Sequence, residues 1–226
     1  MTVNDIIQKL EENQNPKGIA NWEKTGPHTL SSFGMGLGQI KKLAKELKIK
    51  DKDLALEVWK EPILDAKQMA CLIGEPKKMN EDELTKMALE AGSWMTTHTF
   101  VQNVLCKSPM ASKLSDEWRE SQDDQLRTCG YHVLYYLVKD KKLDDAYFEE
   151  LIPIIEQKLQ NESNFVKDGM NSALFAIGQR SKTLHEKALP AAKNIGKVMV
   201  DYGDNSCEAV DLVKHLSSER VMKKWG

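Results

Sequence analysis

At 226 residues the chain is long enough to bury a sizeable core, as one extended domain or two small ones. A formal net charge of −2 excludes bulk attraction to nucleic acid, so any phosphate contact has to come from a local basic face. Its cysteines, Cys71, Cys106, Cys129 and Cys207, are far apart with no CxxC pair, each within an apolar helical pattern; they read as reduced, partly buried thiols in a cytoplasmic protein.

The N-terminal MTVNDIIQKLEEN lacks a basic region followed by an apolar core, and no window approaches a membrane span, so a soluble protein without a membrane partner is expected. A first helix is expected over Val3 to Glu12. The stretch NQNPKGIANWEKTGPHTLSSFGMGLGQ follows, and residues 13–38 read as one irregular segment, a mobile loop or a functional arm. Its FGMGLG run invites a phosphate-loop reading, because glycines let backbone N–H groups approach an anion at a helix start. It fits neither GxGxxG nor a P-loop and no strand precedes it, so the glycines read as a flexible lead into the next helix.

Helical periodicity dominates the rest. Helices are expected over Gly38 to Leu47, Leu54 to Lys60, Ile63 to Ile73, Glu81 to Ala91, Trp94 to Cys106, Ala111 to Glu120, Asp124 to Lys139, Asp145 to Gln160, Phe165 to Ile177, Thr183 to Val200 and Ser206 to Leu216, with short Pro-, Gly-, Asn-, Asp- or Ser-bearing connections. No alternating β-branched run appears, and the class is all-α. Neighbouring helices pair at a spacing of roughly 35 to 45 residues, the period of HEAT-like arrays, although periodicity alone also admits an irregular bundle. One domain is expected over 1–226.

The helix start in EAGSWMTTHTF separates two faces. Gly92 ends one helix and Ser93 caps the next. Trp94, Thr97, Val101, Val104 and Leu105 form one stripe, while Met95, Thr99 and Gln102 share a less apolar face.

His28, His98, His132, His185 and His215 never take a metal-ligand spacing, so neither a metal nor another cofactor is expected. There is no GxSxG and no exposed electropositive cysteine, which excludes the common hydrolase nucleophiles. Lysines are dense over Lys41 to Lys52, in KKLAKELKIKDK. Arg127, Lys139, Lys167 and Arg180 lie at starts or ends of successive helices, where they could meet a phosphate backbone; a solvated helix face is the plainer reading.

The segments SFGMGLGQIKKLAKEL, ALEVWKEPILDAKQMACLIGEP, GSWMTTHTF, DEWRESQDDQLRTCGYHVLYYLV and YFEELIPIIEQKLQNESNFVKDGMNSALFAIGQR together resemble the DNA alkylation repair enzymes, the alkylpurine DNA glycosylases built from HEAT-like repeats. The resemblance runs from about Phe33 to Arg220. It implies an armadillo-like helical superhelix whose concave basic surface cups duplex DNA, and release of N3- or N7-alkylated purines by cleavage of the N-glycosidic bond. A cationic leaving base makes that chemistry depend on a carboxylate and electron-rich rings that stabilise an oxocarbenium-like sugar.

The family's aromatic position falls on Met95, its aspartate on Thr99, its second tryptophan on Ser172 and a commonly basic position on Phe175. Only the arginine is matched, by Arg127. Each missing electrostatic group costs ~2 to 4 kcal/mol of barrier, or roughly 30- to 1,000-fold in rate. The resemblance therefore implies a protein that keeps the DNA-binding fold with weak or absent excision. An active glycosylase using another acid, for which Asp168 and Asp124 are candidates against the plainer reading of surface acids, and a helical scaffold for a protein partner are the alternatives. A monomer is expected.

Overall fold

The structure, a computed structural model, describes residues 1–25, 29–204 and 206–224; His28 lies outside them. The chain is all-α. Among the described residues the only β pairing is an isolated bridge between Ser31 and Ile63. It divides into two compact units, a division that the even helical patterning does not display: residues 1–110 with 202–206, and residues 111–201 with 207–226.

In the first unit, α1 (Val3–Glu11) starts on a capping box in which Thr2 and Asp5 satisfy each other's backbone N–H groups. The segment expected to be irregular contains a second helix, α2 (Pro16–Trp22). Its signal was the Asn-Pro pair: Asn15 caps, and Pro16 supplies a preset φ where its missing N–H is no loss. Helices α3 (Leu37–Leu47), α4 (Lys52–Trp59), α5 (Leu64–Ile73), α6 (Glu81–Leu89) and α7 (Trp94–Asn103) complete the unit. Helix α5 is central. It packs on α3, α4 and α7 and buries nearly every residue from Leu64 to Ile73. Trp59 and Phe100, ring centroids 6.0 Å apart, fill the core beside Met69 and Ile73.

In the second unit, α8 (Ala111–Arg119), α9 (Asp124–Leu137), α10 (Asp145–Glu149), α11 (Leu151–Lys158), α12 (Asn164–Ile177) and α13 (Lys182–Ile195) precede the short α14 (Leu212–Leu216) and α15 (Glu219–Met222). Helices α9 and α12 pack most extensively. Gly169 lets them approach: a Cβ there would sit 3.1 Å from the Thr128 carbonyl oxygen.

Three expected helices are corrected. The helix expected over Asp145 to Gln160 breaks between Glu149 and Leu151, because Pro153 has no N–H for the Glu149 carbonyl and its ring crowds that oxygen. The one expected to reach Val200 ends at Ile195, where Gly196 turns to φ 73°. That from Ser206 shrinks to Leu212–Leu216, capped by Asp211, which leaves Cys207 exposed and outside any helix.

Candidate nucleic-acid interface

The glycine run is folded around a carboxylate of the protein itself. Asp65, fully buried on α5, accepts hydrogen bonds from the Ser32 hydroxyl (2.7 Å), the Phe33 N–H (2.8 Å) and the Met35 N–H (2.9 Å). These are the donors a phosphate loop would offer an anion, and Asp65 occupies them. Gly34 takes φ 73° because α2 lies against it: a Cβ on Gly18 would fall 1.9 Å from the Gly34 carbonyl oxygen. Sequence reasoning missed this site because the loop and its anion are 33 residues apart along the chain.

Helix α7 begins as its sequence predicts. The Ser93 hydroxyl accepts from the Thr96 N–H at 3.2 Å, and Gly92 has φ 72°. The face expected to be the less apolar one is nevertheless turned inward. Thr99 is 2% exposed, donates its hydroxyl to the Met95 carbonyl (2.8 Å) and accepts from the Gln68 side-chain amide at 3.4 Å. Met95 packs on the apolar cluster of Trp22, Leu30 and Leu64. Gln102 alone of that face is exposed. A neutral hydroxyl bonded back to its own helix neither carries charge nor offers an open face, so these two residues do packing work.

The other expected site residues belong to the second unit. Arg127 donates to the Ser121 carbonyl (2.9 Å), the Gln122 carbonyl (3.1 Å), Asp124 (2.5 Å) and Glu162 (3.1 Å). Its burial alone would lower the guanidinium pKa, but the two carboxylates outweigh burial and raise it, so the charge is locked in place. Arg180 is held in the same way: it donates to Asp145 (2.8 Å) and to the carbonyls of Val138, Asp140 and Leu143, with its guanidinium 4.6 Å from the Phe148 ring centroid. Both arginines clamp the loops around α9 and α12. Ser172 is half-buried on α12, and Phe175 meets His215 edge-on at 5.8 Å. Lys139 is exposed and Lys167 half-exposed, and neither has a carboxylate partner among the described residues.

The two acids weighed as substitutes are also engaged. Asp124 pairs with Arg127, and Asp168, expected at the surface, is buried with its carboxylate 3.4 Å from His132 Nε2. Burial pushes the Cys71 and Cys129 thiols far up, so neither is a nucleophile at neutral pH.

A sequence profile of the DNA alkylation repair enzymes matches residues 6–203. The chain belongs to that family. Proteins similar to this DNA alkylation repair family member include the uncharacterized Lin0241 of Listeria innocua, 27% identical over 97% of this chain and 98% of that one, and the uncharacterized Lmo0209 of Listeria monocytogenes, 26% identical over 99% and 100%. A solved structure 23% identical aligns with a TM-score of 0.83 over 99% of this chain and 94% of the other. It represents a family of proteins related to the HEAT-like repeat DNA glycosylases, with affinity for branched DNA structures. That likeness gives this DNA alkylation repair family member its fold, a HEAT-like helical repeat. Among its described residues no helix is long and apolar enough to cross a membrane.

Proposed function

We propose that this DNA alkylation repair family member binds DNA through its phosphate backbone, branched forms included, without excising alkylated purines. The supporting observation is the state of the two family positions on α7. Thr99 is buried and bonded to the Met95 carbonyl, Met95 is packed into an apolar cluster, and α7 carries no carboxylate. An oxocarbenium-like transition state has nothing to meet on this face. The likeness to a protein with affinity for branched DNA supports the binding half of the reading. Lys139 and Lys167, without carboxylate partners, are the proposed backbone contacts of the second unit; Arg127 and Arg180 hold the fold.

The test pairs two assays on the purified protein. Release of 7-methylguanine and 3-methyladenine from alkylated duplex is expected at the spontaneous rate, with binding to duplex and to a four-way junction that weakens linearly in log salt. Release above the spontaneous rate would overturn the non-catalytic reading. Binding indifferent to salt would overturn the backbone contact.

A further inference from the structure

Most lysines of the lysine-dense KKLAKELKIKDK are solvent-exposed, and the segment also borders a hollow. In the first unit the C-terminal ends of α3, α5 and α7 meet around an open cavity of about 460 Å³ whose lining includes Lys41, Lys45, Lys48, Lys50, Lys107 and Asn103. No carboxylate lines it. The acids nearest along the chain are occupied elsewhere: Glu46 faces Lys42 at 3.9 Å, Asp51 caps the Leu54 N–H, and Glu75 pairs with Lys78 at 2.7 Å. Lys41, Lys45, Lys48 and Lys107 have no carboxylate within ion-pair distance among the described residues, while the Lys50 ammonium is anchored on the Leu72 carbonyl at 2.6 Å.

The charge balance has a definite sign. Three helix C-termini bring roughly −0.5 each. Five ammonium groups exceed that about threefold, so like charges are held together around a hollow with no protein counterion. A local excess of positive charge of this kind attracts an anion. The volume is that of a small-molecule cleft, larger than a single ion requires. Ala44, Ile49 and Leu72 add apolar lining. The cavity also lies at the far end of α7 from Met95, roughly 12 Å along the helix at 1.5 Å per residue.

We infer that this lysine-rimmed cavity binds consecutive phosphates of a nucleic-acid backbone, as a contact site separate from the family's pocket positions on α7. The inference rests on the proposed DNA binding, and its test separates the two. Wild type is compared with Lys45→Gln/Lys48→Asn/Lys107→Gln, asparagine being chosen because Lys48 has φ 54° and Asn tolerates that backbone. These side chains are exposed, and a melting temperature no lower than that of wild type in phosphate-free buffer confirms that the variant folds. Affinity for a four-way junction and for duplex is measured by fluorescence anisotropy across a salt series.

The expected result is a binding slope in log salt shallower by roughly 2 to 3, about 0.9 for each phosphate that the variant no longer neutralises, with affinity at low salt reduced at least tenfold. A matched variant of three exposed lysines elsewhere, Lys17→Gln/Lys193→Gln/Lys223→Gln, is expected to leave the slope within 1 of wild type. A cavity variant with wild-type affinity and slope would overturn this inference and leave the proposed DNA binding standing. A wild-type protein that binds neither DNA would overturn both.

Discussion

Replacing Asp65 with alanine isolates the contribution of the filled anion nest. The side chain is fully buried and accepts three hydrogen bonds, two of them from backbone N–H groups that have no other acceptor once it is gone. Hydrogen bonds to a charged group contribute ~1.5 to 3 kcal/mol each, and a buried donor left unpaired costs ~1 to 3 kcal/mol. These overlap, and solvent reaches Ser32, so the expected loss is about 3 to 5 kcal/mol. At ~2 to 4 °C per kcal/mol for a chain of this size, that lowers the melting temperature by roughly 6 to 20 °C. Far-UV circular dichroism on heating gives the magnitude. Amide hydrogen exchange gives the location, with Phe33 and Met35 expected to lose protection first. A loss below ~1 kcal/mol with both amides still protected would refute the reasoning, because the loop would then stand without its anion.

Arg180→Ala is expected to lower stability by about 2 to 4 kcal/mol in denaturant titration, since it strips partners from three loop carbonyls and Asp145, while leaving the salt slope of DNA binding unchanged. Asp145 supplies a pH test. The Ser181 hydroxyl, then the Arg180 guanidinium, hold its carboxyl below the usual range, so its contribution is present above the unfolded pKa of ~3.9 and is lost as pH falls through the lower folded value. The stability gap between wild type and Asp145→Asn should accordingly be full at pH 6 and narrow as pH falls below about 4, read from denaturant midpoints. Thr99→Asp, which puts an acid where the resemblance places the family's aspartate, is expected to destabilise by ~2 to 4 kcal/mol and to release no alkylpurine above the spontaneous rate.

Much of the helical pattern was legible because caps and apolar stripes are local signals. Ser93 caps where its sequence context predicts, and Asp123 and Asp144 cap the helices expected from Asp124 and Asp145. Pro153 was just as local, yet its break in the helix was hidden by the apolar residues on both sides. The inward turn of Arg127 and Arg180 was not legible, because partners such as Glu162, Val138 and Asp145 lie 35 to 42 residues away and a terminal arginine reads alike whether it faces a carbonyl or water. Asp65 and its glycine loop failed for the same reason of separation. The lysine cavity was half legible: the run showed the charge but not the closing of α5 and α7 around it.

The family positions on α7 bring these points together. An aspartate at position 99 would face the Met95 carbonyl, which repels it, and one amide hydrogen of Gln68, whose own oxygen is buried without a partner. Such a carboxyl is pushed up in pKa and toward the neutral form, the opposite of what a developing sugar cation needs. An aromatic ring at position 95 would meet Trp22, Leu30 and Leu64, which the methionine already packs against. The two substitutions therefore belong to one packing arrangement that reaches α2 and the loop before α3, and reversing one of them leaves the other in conflict with it. Recovering excision would require opening the face through Gln68 and Leu30 together, whereas phosphate contacts at the exposed lysines need no such change. On this physical ground the proposed DNA binding asks less of the fold than excision would.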